Sequence, residues 1–160
     1  MNTFEEYIEE LARLHPLIQH DVNEKCHFSS MADESQSRMA STMYYPCVIV
    51  DTGDFSIDGQ AGNVLLSDEM TIFFLQHVKD TGNSKEVQAA FRSMKSVLFD
   101  FARKFSRDKR AVKYPFLNRF TLLGSEGHRV YMKDAGLYGW VLFFNADTQF
   151  HDQDCEHIFD

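Results

Sequence analysis

Residues 84–107 read SKEVQAAFRSMKSVLFDFARKFSR, and the spacing within them decides the fold class. Val87, Phe91, Met94, Leu98, Phe101 and Phe105 step by four, three, four, three and four, with Ala90, Val97 and Ala102 widening the stripe. Apolar residues at that period line one face of an α-helix. Asn83 or Ser84 can cap its start. At ~1.5 Å per residue the helix is about 36 Å long, with Phe91, Met94, Leu98, Phe101 and Phe105 in the core. A helix of that length makes one whole side of a small domain.

The flanking sequence supplies the layer it packs on. Phe4, Tyr7, Ile8, Leu11, Leu14 and Leu17 recur at helical spacing, with Glu5, Glu6, Glu9 and Glu10 on the outer side. Thr3 and Glu6 have the spacing of a capping box, and Pro16 limits the run, so a first helix is expected near residues 4–15. Serine-rich residues 23–42 read as a polar connector, with room for a short helix over 31–38. Residues 44–50 read as a strand ended by a turn at Asp51-Thr52-Gly53-Asp54, and Gly59, Gly62 and Asn63 mark a further turn. Residues 70–78 read as the next strand, with Thr71, Phe73 and Leu75 on one face and Ile72 and Phe74 on the other. One of those apolar faces covers the core. The other is expected to meet a second subunit or the first helix, which makes Phe73 and Phe74 interface candidates.

Past the long helix, Pro115 disfavours more helix. Residues 120–123 read as a short strand, Gly124-Ser125-Glu126-Gly127 as a tight turn, and residues 128–133 as a segment pairing back. Asp134-Ala135-Gly136 interrupts, and residues 138–145 form the final strand. The acidic tail 147–160 is expected to be extended or frayed. Strands on either side of one dominant helix define an α+β class: a mostly antiparallel sheet packed against one long amphipathic helix and an N-terminal helix.

With 160 residues, 44% of them hydrophobic, and 15 Phe, the chain has the size and composition of a single domain with a substantial core. Such a composition argues against disorder of the whole chain. The formal net charge is -8. It is unevenly spread, because residues 85–113 hold nine Lys or Arg against three acidic residues. Exposed cations at Lys85, Arg92, Lys95, Arg103 and Arg107 are therefore candidates for an interface, with an acidic partner or an acidic patch on another copy. Nucleic acid is not expected, given the acidic total and the lack of a recognition motif. Cys26, Cys47 and Cys155 show no disulfide spacing, and the first residues lack the basic start and apolar run of a signal peptide. No apolar stretch approaches the ~20 residues that cross a bilayer. Cytoplasmic synthesis without membrane association is expected.

One string has a catalytic resonance. Val48-Ile49-Val50-Asp51-Thr52-Gly53 resembles the aspartic-protease signature, and Leu122-Leu123-Gly124 resembles the apolar-apolar-Gly element that supports the loop in that family. The resemblance implies a homodimer with Asp51, Thr52 and Gly53 contributed twice and two carboxylates sharing a proton. Asp54 adds a further charge beside that dyad, and a long amphipathic helix separates the two strings, so a plain turn is the preferred reading. Asp51, Asp54 and Asp58 fail the calcium-loop pattern, since the sixth position is Ser56 and the twelfth Gly62. His151, Asp152, Asp154, Cys155 and His157 are metal-competent types but crowd one terminal stretch, and no metal or cofactor is expected. Phosphate-binding and dinucleotide fingerprints are missing from the sequence.

The order of elements across residues 4–146 resembles that of tail-terminator and head–tail completion proteins of tailed bacteriophages and prophages. That resemblance implies a non-enzymatic subunit forming a ring at the tail tube or neck, with tube or neck proteins as partners and the virion as final location. A homodimeric aspartic protease using Asp51 and a protein- or peptide-binding scaffold are the alternatives.

Overall fold

In the computed structural model, residues 3–21, 23–30, 43–60 and 63–150 are described. Helix α1 spans Phe4–Leu14, and the Thr3 hydroxyl accepts the Glu6 amide at 3.2 Å, as the capping pattern predicts. A short strand, β1, follows at Phe28–Ser30 inside the expected connector. Next come β2, Cys47–Gln60, and β3, Asn63–His77. Helix α2 covers Ser84–Arg110, with Asn83 accepting the Lys85 and Glu86 amides. A 3-10 turn at Pro115–Arg119 leads into β4, Phe120–Met132. A second at Lys133–Ala135 leads into β5, Leu137–Phe150. Gly136, at φ 64, makes the left-handed exit from that turn, where a side chain would meet the Val78 carbonyl.

The five strands form one sheet in the order β1-β2-β3-β5-β4, antiparallel throughout except for the parallel β1–β2 pair. Both helices pack on the same face. Val48, Val50, Met70, Ile72, Phe74, Leu142 and Phe144 of the sheet meet Phe4, Tyr7, Ile8, Leu11, Met94, Leu98, Phe101 and Phe105 of the helices. Phe4 stacks on Phe120 at 4.4 Å and meets Phe144 edge-on at 5.3 Å. The opposite face holds a smaller cluster of Cys47, Ile49, Leu75 and Leu137, with Phe73, Val130, Met43 and Tyr45 against it.

The fold class is as expected, but several boundaries need correction. Asp51-Thr52-Gly53-Asp54 makes no turn: β2 runs straight through it for 14 residues, paired to β3 on both sides of a bulge between Thr52 and Phe55. Gly124-Ser125-Glu126-Gly127 likewise makes no turn, and residues 128–133 do not fold back. They belong to one 13-residue strand whose register on β5 shifts between Thr121 and Glu126. Turn-forming residues are equally suited to bulges, and the ladder with a long neighbouring strand outweighs their local preference. β3 also begins seven residues before the expected 70, because Ser67, Asp68 and Glu69 separate Val64-Leu65-Leu66 from the apolar run that follows. Phe74 is wholly buried beneath Phe101, with ring centroids 5.2 Å apart, and is core rather than interface. Phe91 is only half-buried and belongs to a side cluster with Val78, Ala90 and Tyr138. The first helix shares the face of the long helix and leaves the opposite face alone. The expected helix at 31–38 and the tail beyond 150 lie outside the described residues.

Candidate functional site

The bulge in β2 determines which side chains the outer end of the sheet presents. Paired residues in an antiparallel ladder share a face. Val48, Val50 and Thr52 oppose Phe74, Ile72 and Met70, so they point to the helices. Past the bulge Phe55 opposes Asp68 and Ile57 opposes Leu66, which continue the same face of β3. Gly53 and Asp54 stand against Glu69 alone, and this one extra residue swings odd-numbered positions onto the core side. Phe55 is 65% exposed and Ile57 64%, because the helical layer stops short of them. The layer ends at a cleft of about 350 Å³ lined by Phe4, Thr52, Gly53, Met70, Phe116 and Arg119. Arg119 pairs there with Asp68 at 3.3 Å. The core-side face of the sheet thus outruns its cover and ends in two bare apolar side chains.

A second surface runs along α2, which packs chiefly on β5 and β3, and reaches Arg129 on β4. Lys85, Arg92, Lys95, Arg103 and Arg107 are all exposed on α2. Arg103 pairs with Asp100 at 3.4 Å within the helix. Lys95 sits over Trp140 at 4.8 Å and Phe99 at 5.7 Å. Arg129, from β4, lies over Phe91 at 5.1 Å and Trp140 at 5.7 Å. Trp140 is fixed by its indole N–H, which donates to the Phe91 carbonyl at 2.8 Å. Among the described residues Arg92, Lys95, Arg129 and Lys133 have no carboxylate partner. The result is a cation–aromatic flank along α2 and β4, free to receive negative charge.

The Asp51 string has no loop to stand on. Asp51 opposes Thr71 inside the β2–β3 ladder, on the face away from the helices. Residues 122–124 lie on β4, which β3 and β5 separate from β2. The arrangement brings Asp51 and the supporting string no closer than opposite sides of the sheet. Cys47 is buried, and that burial pushes its thiol far above the ordinary range, the reverse of what a nucleophile needs. Burial, and then Cys47, raise the Tyr45 hydroxyl to about 12. No group of three or more His, Cys, Asp or Glu with metal-site geometry occurs among the described residues. The His151–His157 group lies outside them. Among the described residues no helix is long and apolar enough to cross a membrane.

Sequence reasoning located the basic helix but missed Phe55, Ile57, Arg129 and Trp140 as surface features. Phe55 and Ile57 stand between two expected turns, and only the bulge shows which face they take. Arg129 and Trp140 come from strands far from α2 in sequence, so only the sheet order brings them beside it. Comparison with known proteins finds no matching family model, curated protein or solved structure.

Proposed function

We propose that the protein is a non-enzymatic assembly subunit that joins copies of itself through unlike surfaces, in its concrete form a ring at the tail or neck of a phage or prophage particle. The observation that carries this reading is the overhanging core-side face with Phe55 and Ile57 bare. Burying such side chains on association is worth roughly 1.5–3 kcal/mol each, and exposed apolar surface continuous with a core is where partners commonly dock. The segregated charge adds orientation. Residues 85–113 are basic while the rest of the chain is strongly acidic, so unlike patches meet more readily than like ones. Contacts between unlike patches propagate, and they close into a ring when the rotation permits. The subunit is made in the cytoplasm and ends in the particle. Electron microscopy of the protein mixed with the tube and neck proteins encoded beside its gene tests the concrete form. Rings seated on a tube or portal are expected. A protein that leaves every such partner undecorated would sink the tail or neck version.

A further inference from the structure

We propose that residues 55–60 of β2 in one copy add to the free edge of β4, residues 126–132, in a second copy, so that the sheets join head to tail. This rests on the assembly reading above and names its contact. Among the described residues both margins of the sheet are open, one of them in part. β1 pairs with β2 only at Val48–Val50, through three residue pairs, and no strand among the described residues continues along 51–60. β4 is the last strand in the order, and no strand among the described residues pairs with its far side. A free strand edge presents a row of unsatisfied amides and carbonyls and is a template for another strand.

The two edges match one another in more than being free. Each strand is bulged, β2 midway between Thr52 and Phe55 and β4 near its start between Thr121 and Glu126. Beyond the bulges lie regular stretches of similar length, 55–60 and 126–132. Their charges are opposite. Residues 51–60 contain Asp51, Asp54 and Asp58 and no Lys or Arg. On or beside β4 stand Arg129, Lys133 and Lys95, without carboxylate partners among the described residues, while Glu126 is already engaged by His128 at 3.1 Å. Their apolar side chains also fall on one face. Arg129 and Tyr131 oppose Trp140 and Tyr138, on the helix side of the sheet, the side that Phe55 and Ile57 take. Tyr131 is 59% exposed. Joining the edges would set Phe55 and Ile57 against Tyr131 and the Arg129 stem, the kind of cross-strand pair that stabilises sheets.

The strand senses agree as well. β2 and β5 run one way, β3 and β4 the other. A copy related by rotation keeps that sense, so its β2 arrives antiparallel to β4, the commoner pairing. The two free stretches lie toward opposite ends of the sheet, so each junction staggers the copies along the strands. Closed sheets require such stagger and tilt.

Two experiments on the full chain test the contact. Hydrogen exchange of the unmodified protein, followed as concentration rises, should slow amides in 55–60 and 126–132 together. Mass growth with both stretches still exchanging freely would overturn the edge pairing. Asp54→Arg and Arg129→Asp, both at exposed positions, should each weaken association by roughly tenfold or more, because the two joining edges then carry more like charge. An equimolar mixture of the two should recover assembly, since each variant offers the swapped charge to the other. If both variants assemble like the wild type, the edge contact is wrong and the assembly reading stands. If the wild type never associates, both fall.

Discussion

Asp108 shows how a single residue ties the layers together. It is a carboxylate near the end of α2, 4% exposed, and such a group is buried only with partners. The Tyr7 hydroxyl donates to its Oδ2 at 3.2 Å from α1, and Lys104 pairs with the same oxygen from one turn back. Burial first, then the charge and hydrogen bond of Asp108, hold the Tyr7 hydroxyl far above its ordinary value. The folded chain therefore keeps a proton that the unfolded chain loses near pH 10. Stability from this group is fully present below that pH and drains as pH rises beyond it. Tyr7→Phe should cost ~1.5–3 kcal/mol at neutral pH, the range for a hydrogen bond to a charged acceptor. It should also flatten the fall in denaturation midpoint above pH 10 relative to the wild type. Superimposable alkaline profiles would show that Tyr7 does not carry this linkage. None of this was legible in the sequence, where Tyr7 and Asp108 stand 101 residues apart and each reads as an ordinary member of its helix. Asp51 gives the converse lesson, since a signature-like string proved to be part of a ladder.

At the scale of elements, the helices were far more legible than the strands. A helix writes its buried face into its own spacing, and α2 departs from expectation only by running three residues further, to Arg110. Met94, Leu98, Phe101 and Phe105 are buried as read, whereas Phe91 lies nearer the β4 flank and is half-covered. Phe101→Ala should therefore cost ~3–5 kcal/mol, the range for a buried Phe. Phe91→Ala should cost distinctly less, and denaturant melts of the two variants compare them directly. Equal midpoints would mean that the two rings are equally buried. Strands depend on their neighbours. The outer halves of β2 and β3 carry Asp, Ser and Gly, and pair because each has the other alongside. Taken one strand at a time, such residues carry turn signals rather than a strand pattern.

The described residues form a sheet covered on one face by two helices, with no strand pairing along β4 on one margin or along 51–60 of β2 on the other. Its core-side face ends in Phe55 and Ile57, its acidic margin is β2, and its basic flank is α2 with β4. The charge division was readable from composition, but its placement, acidic on β2 and basic on α2 with Arg129 of β4, required the structure. Association through unlike margins is the central claim, and the mass of the full chain in solution tests it most directly. Native mass spectrometry and mass photometry over a wide concentration range should show multiples of the single-chain mass growing with concentration, settling at one closed number if the copies complete a ring. A single-chain mass at every concentration would contradict the claim.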